Sequence, residues 1–213
     1  MSKLSRVIFS VAIAVGMSFV SFGATTSVPK PDGLTDLTDD TASRVTTTST
    51  TSFYVGPTTA FHNKGVGNTS TSYRVIKQNP NTFDIIYTFD EATAVNAYAI
   101  CAFNNGMPTR PPKKWSFYGS NDYDPAAQTG TWTPIDSRDN ETDWGLAEYR
   151  YFQSRNTTKY KSYRIDILEN NGETYTQFNF MEFFFNPAAE TTVFGECSLT
   201  YVEDGEYALS GVI

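Results

Sequence analysis

Short hydrophobic segments recur along the chain, and turn-forming residues separate them. Within the segments hydrophobic and polar positions alternate, as in strands that bury one face, and none keeps a helical period long enough for a helix. They span residues 53–55, 73–76, 83–89, 95–103, 149–152, 163–168 and 178–185, with a further pair inside 111–144. Many short alternating strands predict an all-β fold, either a sandwich or a barrel.

The segment 83–90 shows the alternation most clearly. Phe83, Ile85, Tyr87 and Phe89 fall on one face of a strand, and Asp84, Ile86, Thr88 and Asp90 fall on the other. Successive side chains of a strand point to opposite sides of the sheet. We therefore expect the first set in the core and the second, mostly polar set in solvent.

Residues 111–144 hold all three tryptophans of the chain. Residues 113–118 alternate as a half-buried strand, and the Gly-Ser-Asn-Asp run at 119–122 is typical of a turn. Residues 131–135 predict a second strand, in which Pro134 is compatible only with a sheet edge or a bulge. The block is predicted to be a hairpin with a long loop, and Trp115 and Trp132 are expected in the core.

This block resembles the factor V/VIII type C (discoidin) domains and the related family 32 carbohydrate-binding modules. The matching residues are Pro112, Trp115, Phe117, the Gly-Ser-Asn-Asp run and Trp132-Thr133. Downstream, residues 160–167 resemble the Tyr-Arg strand of these families and residues 180–183 their closing strand, and upstream the match extends to residues 59–61. The resemblance covers residues 50–186 and implies a discoidin-like jelly-roll β-sandwich of the galactose-binding-like type.

Two regions precede the predicted sandwich at 51–186. Residues 1–23 carry Lys3 and Arg6, then an apolar run and small residues, which is the pattern of a signal peptide. The apolar run is shorter than the roughly 20 residues of a membrane-spanning helix, so we expect cleavage near Gly23 and Ala24 and a secreted or cell-surface protein. Residues 24–50 are rich in Thr, Ser and Asp, which predicts a linker, a loosely docked arm or a surface loop.

Residues 187–213 come after the predicted closing strand. Two apolar segments flank Asp204-Gly205, a strong hairpin signal. The region is predicted to be an extra C-terminal hairpin or the start of a further, truncated domain.

Charge and motifs exclude several classes of function. The net charge of -7 argues against nucleic acid and anionic membranes as partners. His62 is the only histidine, and no nucleophile, metalloprotease or nucleotide-binding motif is present. The acidic residues Asp136, Asp139, Glu141 and Asp143 are interpreted as a solvated loop rather than a glycosidase pair. We therefore expect no enzymatic activity.

Cys101 and Cys197 leave two possibilities open. A disulfide is chemically permitted in an exported chain, but sequence separation does not establish that the two Cα atoms lie close enough. Two free thiols are the alternative.

Binding residues are sought among aromatic, amide and guanidinium groups, the pairing that recognises sugars. Aromatic residues make up 15% of the chain. Trp144 precedes a glycine, which predicts a loop position and an exposed platform. The resemblance implies a sugar site in loops at one end of the sandwich, and also that calcium sits near the first loop. The predicted sugar-binding residues are Arg110, Asn104, Asn105, Trp144, His62 and Asn171, and the predicted calcium ligands are Glu182, Asn63 and Asn68.

Each of these residues also has a plainer interpretation. Arg110 is equally compatible with a clamp for its own loop, Asn171 with a turn, and His62 with the polar end of a strand. His62-Asn63 stands where the calcium-binding members have Asp-Gly, which weakens the calcium prediction. Met107 is the only apolar residue in the candidate loops that resembles a membrane-inserting spike, so no membrane insertion is expected.

The sequence therefore predicts a secreted or cell-surface, non-catalytic module that binds a glycan or glycoprotein. The alternative is a structural or adhesive module that contacts other proteins or other domains of a larger surface polypeptide. An aromatic face exposed beside Arg or Asn at a loop rim would favour the glycan.

Overall fold

The computed structural model describes residues 33–38, 41–50, 52–61, 75–78, 82–103, 107–187, 198–203 and 206–210. Within these residues the regular structure consists of β-strands and two single-turn 3-10 helices, Ala42–Arg44 and Pro57–Thr59. The strands are β1 (Thr35–Asp36), β2 (Val45–Thr46), β3 (Phe53–Val55), β4 (Val75–Gln78), β5 (Phe83–Ala94), β6 (Ala97–Cys101), β7 (Pro112–Ser120), β8 (Thr133–Arg138), β9 (Tyr149–Gln153), β10 (Lys159–Asn170), β11 (Tyr175–Phe178), β12 (Phe180–Phe185), β13 (Ser198–Glu203) and β14 (Glu206–Ser210). The described residues include no helix with the length and hydrophobicity that crossing a bilayer requires.

The strands form antiparallel sheets. A five-stranded sheet has the order β2-β5-β10-β7-β8, and a four-stranded sheet has the order β1-β12-β6-β9. A small sheet, β11-β4-β3, adjoins them, and β13 pairs with β14 as the predicted C-terminal hairpin. The predicted all-β sandwich is confirmed.

The core lies between the inward faces of the large sheets and is mainly aromatic. Trp115 and Phe117 on β7 pack with Tyr98 of β6 and Phe183 of β12. The indole nitrogen of Trp115 donates to the Tyr98 hydroxyl at 2.9 Å, and that hydroxyl donates to Asp136 at 2.8 Å. The ring of Trp115 is therefore buried with its polar atom satisfied, as predicted.

Trp132 is not in this core, and its predicted core position is wrong. The ring is half-buried, lies 5.1 Å from the ring of Tyr123 and is covered by Arg164. Trp132 immediately precedes β8, the edge strand of the five-stranded sheet. Its contact with Arg164 places the ring on the outer face of that sheet.

The alternation along β5 predicts its core face correctly, because Phe83, Ile85, Tyr87 and Phe89 all belong to the core. The opposite face is less exposed than expected. Ile86 is fully buried, and Asp84 accepts hydrogen bonds from the Thr47 hydroxyl and from both the amide and hydroxyl of Thr48 at 2.8 Å. The Thr-rich arm covers this face.

The Gly-Ser-Asn-Asp run is a structural turn. A Cβ on Gly119 would lie 2.2 Å from Cδ2 of the Tyr160 ring, so glycine lets that ring pack against β7. Asp122 accepts from the Ser120 hydroxyl at 2.9 Å and from the Thr131 amide at 2.8 Å, and these bonds, chiefly that of Thr131, lower its pKa. The side-chain amide of Asn121 donates to the carbonyl oxygen of Lys159 and accepts from the backbone amide of Lys161. The motif joins β7, its loop and β10.

The arm at 24–50 contributes two short strands to the sheets in its described part. β1 pairs with β12 and β2 pairs with β5. The predicted signal peptide at 1–23 lies outside the described residues, and so does Cys197. Cys101 is a buried free thiol whose Sγ lies 3.5 Å from the carbonyl oxygen of Ala102.

Candidate functional site at the loop end

Three connections meet at one end of the sandwich. They are loop A (107–111), loop B (139–148) and turn C (171–174). The side-chain amide of Asn171 in turn C donates to the carbonyl oxygens of Pro111 at 3.0 Å and Glu141 at 3.1 Å. The side chain of Asn171 therefore links loop A, loop B and turn C. This structural role agrees with the interpretation of Asn171 as a turn residue rather than with its prediction as a sugar-binding residue.

Trp144 lies inside loop B and not on its surface. The residue is 3% exposed, and its indole nitrogen donates to the carbonyl oxygens of Pro112 at 3.0 Å and Glu141 at 3.2 Å. Arg150 covers the ring, with its guanidinium carbon 4.1 Å from the ring centroid. The predicted exposed platform is wrong, because the loop folds back over the indole.

Loop B is held by a buried charge network centred on Arg150. The guanidinium contacts both carboxylate oxygens of Glu148 at 2.9 Å, Glu141 at 3.4 Å and the carbonyl oxygen of Asp143 at 2.9 Å. Asn140, Asp143 and Ala147 adopt positive φ angles of 62°, 57° and 50°. Asp139 and Asp143 are exposed as predicted, but the predicted exposure of Glu141 is wrong, because Glu141 is buried and neutralises the arginine together with Glu148.

A cavity of about 290 Å³ lies between loop A and loop B. The side chains that line it are apolar, and the lining residues are Ala102, Phe103, Met107, Pro108, Pro111, Trp144, Gly145 and Leu146. Met107 and Leu146 are 42% and 67% exposed, so both apolar side chains meet solvent beside this cavity. The buried indole contributes to the lining even though its faces are covered.

Arg110 belongs to loop A, and its side chain reaches Gln177 of β11. Its Nη1 donates to Oε1 of Gln177 at 2.7 Å, and its guanidinium carbon lies 5.2 Å from the centroid of the half-buried Tyr175 ring. Its backbone carbonyl accepts from the Gln177 amide at 3.0 Å. The guanidinium makes no other hydrogen bond within the described part of the chain, and its buried Nε has no partner there.

The remaining predicted site residues divide into two groups. His62, Asn63, Asn68, Asn104 and Asn105 lie outside the described residues. Glu182 lies on β12, where it accepts a short hydrogen bond from the Tyr149 hydroxyl, and burial together with this carboxylate raises the pKa of Tyr149 well above its usual value. The described residues contain no cluster of three His, Cys, Asp or Glu side chains able to hold a metal. The calcium site stays a prediction.

Solved structures establish the class of the fold. The F5/8 type C domain of a Bacteroides fragilis protein superposes with a TM-score of 0.51 at 11% identity, over 72% of this chain and 97% of that one. The fold is that of a discoidin domain. A family 32 carbohydrate-binding module from Streptococcus pneumoniae EndoD superposes with a TM-score of 0.50 at 9% identity, over 65% of this chain and 94% of that one. No family model matches the sequence, and no curated protein matches it.

Sequence reasoning missed several residues at the loop end of this discoidin fold. Tyr175 and Gln177 hold Arg110, Leu146 borders the cavity, and Arg150 organises loop B. Tyr175 and Gln177 lie on the short strand after the Asn171-Gly172 turn signal, and that turn is the one local sign of their position. No local pattern marks Arg150, because its partners are set by the path of loop B.

Proposed function

We propose that this protein is a secreted or cell-surface, non-catalytic carbohydrate-binding module that holds a sugar at its loop end. The observation that carries the proposal is the cavity between loops A and B, together with Arg110 of loop A. The similar EndoD domain is itself a family 32 carbohydrate-binding module, which supports the same class of ligand.

The chemistry of the cavity suits one sugar ring. A volume of about 290 Å³ is at the lower end of the roughly 300–1,000 Å³ typical of small-molecule sites. The C–H face of a pyranose packs on apolar side chains such as Met107 and Leu146, while its hydroxyls need hydrogen-bond donors at the edge. Arg110 does not line the cavity, and in this proposal its guanidinium supplies a charge-assisted donor to a hydroxyl that extends beyond the lining.

Loop B supports the site by being rigid before a ligand arrives. The Arg150 network and the indole bonds of Trp144 fix the backbone beside the cavity. A loop that is already ordered loses little conformational entropy on binding, so more of the contact energy appears as affinity.

The non-catalytic part of the proposal rests on the acids of the same loop. A glycosidase needs two carboxyl groups flanking the scissile bond. Glu141 and Glu148 are instead bound to Arg150, and Asp139 is paired with Lys114 at 2.9 Å. These three carboxylates form ion pairs within the structure.

The experiment is a glycan array with the full chain, followed by calorimetric titration of the best glycan. Arg110→Ala removes a charge-assisted hydrogen bond, worth about 1.5–3 kcal/mol, so we expect at least about a tenfold weaker affinity. Leu146→Ser should weaken binding as well, whereas Tyr54→Ser, at a strongly exposed position on β3, should not.

Melting temperatures distinguish a binding role of Arg110 from a structural one. Trp115→Ala should cost about 3–5 kcal/mol because the ring is in the core. Arg110→Ala should cost less, about 1–3 kcal/mol, because it removes the donor to the buried side-chain oxygen of Gln177 but opens no cavity in the core. If Arg110→Ala unfolds the protein and glycan affinity survives at permissive temperature, Arg110 is a clamp for loop A and the proposed site is wrong.

A second candidate function is adhesion to another protein. Met107 and Leu146 favour it, because two exposed apolar side chains border one cavity. The stacking of Arg110 on the half-buried ring of Tyr175 favours glycan binding instead, because it places an arginine beside an aromatic ring at the loop end. An array without any bound glycan, together with capture of a protein that Leu146→Ser abolishes, would select adhesion.

A further inference from the structure

The outer face of the five-stranded sheet carries an arginine between two aromatic rings. The guanidinium carbon of Arg164 lies 4.9 Å from the ring centroid of Tyr118 and 4.7 Å from that of Trp132. Nη2 of Arg164 also pairs with Asp166 at 2.9 Å. All four side chains are half-buried, so they form a fixed group that remains partly open to solvent.

A polar row crosses the sheet beside this group. Asp84, Asp166, Ser116 and Ser137 are successive cross-strand partners on β5, β10, β7 and β8. They point away from the core, because their neighbours Trp115, Phe117, Ile165 and Ile167 point into it. The row spans three gaps of about 4.8 Å between strands, or about 14 Å in all, and Asp84 at its end is covered by Thr47 and Thr48 of the arm.

Two shallow depressions lie along this row. One, of about 340 Å³, is bordered by Ser116, Tyr118, Pro134 and Ser137. The other, of about 280 Å³, is bordered by Thr48, Asp84, Asp166 and Leu168. Ser116 borders the first depression and Asp166 the second, and these two residues are cross-strand partners. The two depressions are therefore adjacent, and together with the row we call them the outer groove.

We infer that the outer groove binds an extended, neutral oligosaccharide lying across the strands. Its length suits several linked sugar units better than one. The hydroxyls of Ser116, Ser137 and Thr48 match sugar hydroxyls, and the half-buried Tyr118 ring offers apolar surface to sugar C–H groups.

The charges of the groove favour a neutral ligand. Arg164 is paired with Asp166, and Lys114, which lies on the same face, is paired with Asp139 at 2.9 Å. A charged ligand would therefore compete with pairs already formed. A protein partner typically covers about 800 Å² and needs an apolar centre, and Leu168 is the only strongly exposed large hydrophobic side chain among the described residues that borders this groove.

The outer groove and the loop-end cavity share no lining residue. The inference therefore goes beyond the proposed function and does not depend on it. Variants in the outer groove and in the loop-end cavity therefore test the two proposals separately.

The test is affinity electrophoresis of the full chain through gels that contain xylan, laminarin, hydroxyethylcellulose, galactomannan or galactan. At least one polysaccharide should retard the wild-type chain. Ser137→Lys places a long side chain in the groove at an exposed position and should weaken that retardation at least about tenfold. Tyr118→Ala should do the same by removing a ring from the groove.

Two variants serve as controls. Thr157→Lys adds the same charge at an exposed position outside the groove, and Leu146→Ser alters the loop-end cavity, and neither should change retardation by this polysaccharide. The decisive variant is Ser137→Lys, since its fold is checked by an unchanged melting temperature. Retardation that survives Ser137→Lys, retardation that only Leu146→Ser abolishes, or no retardation in any gel overturns the inference.

Discussion

The guanidinium of Arg150 stacks on the indole of Trp144, and both side chains are almost completely buried. This contact explains why a tryptophan in a polar loop is not a surface platform. It also places a positive charge in the protein interior, where Glu141 and Glu148 neutralise it. Loop B therefore depends on one arginine for both its packing and its charge balance.

Replacing Arg150 should destabilise the protein strongly. Arg150→Met keeps much of the side-chain volume but leaves Glu141 and Glu148 without their buried cation. Breaking a buried ion pair by removing one partner costs about 3–5 kcal/mol. Urea unfolding monitored by fluorescence measures the free energy of unfolding. Lys161→Met, which removes a charge from an exposed position, should change it by less than about 0.5 kcal/mol. Equal stabilities of the two variants would contradict the central role of Arg150.

The hydroxyl of Tyr163 binds three backbone groups and should be important for stability. It donates to the carbonyl oxygen of Thr93 at 2.6 Å and accepts from the amides of Val95 at 3.1 Å and Tyr160 at 3.3 Å. Tyr163→Phe leaves these groups without that partner, which should cost about 1–3 kcal/mol. Thermal unfolding checks this, with Tyr54→Phe on the exposed part of β3 as the control. An unchanged melting temperature for Tyr163→Phe would show that water replaces the hydroxyl.

Gly119 should tolerate no side chain, because a Cβ there would lie 2.2 Å from the Tyr160 ring. Gly119→Ala is expected to destabilise the protein by about 1–3 kcal/mol through overpacking. At Gly56 a Cβ would meet only the Thr58 hydroxyl oxygen at 3.9 Å, so Gly56→Ala should be neutral or slightly stabilising. Chemical unfolding of both variants gives the comparison. Combining Gly119→Ala with Tyr160→Ser should recover part of the loss, and a double variant no more stable than Gly119→Ala would argue against this clash.

The thiol of Cys101 should be unreactive in the native protein. Burial raises its pKa from 9.0 to about 12, and only the thiolate is a good nucleophile. At pH 8 iodoacetamide should leave the Cys101 peptide unmodified until urea unfolds the chain, which mass spectrometry of the digested protein detects. Rapid native labelling of that peptide would contradict its burial.

The raised pKa of Cys101 also makes the stability of the protein depend on pH. The folded state holds the Cys101 proton more tightly than the unfolded state, so this contribution is fully present below pH 9 and is lost as the pH rises towards 12. The free energy of unfolding should therefore fall over that window, and Cys101→Ala should make the fall less steep. Urea unfolding at a series of alkaline pH values measures both slopes, and parallel slopes would refute the assignment to Cys101.

The alternation of hydrophobic and polar residues determined much of the fold by itself. It predicted most strands of the sandwich, although β1 and β2 fall in the predicted linker. On β5 it identified the four core residues, because neighbouring side chains of a strand always point to opposite faces. Turn chemistry predicted the Gly-Ser-Asn-Asp turn and the C-terminal hairpin for an equally local reason. These features depend on residues that are close in sequence.

Only the tertiary structure decided which side chains meet. Arg164 reaches Tyr118 because strand register places them opposite one another, and it reaches Trp132 because the chain returns along the edge of the same sheet. Arg150 covers Trp144 because loop B turns back through residues with positive φ angles. Register and loop path result from contacts between distant segments, and no local periodicity encodes them. The alternation therefore predicted the sandwich, whereas the burial of Trp144, the anchoring of Arg110 and the outer groove emerged only from the packing of the chain.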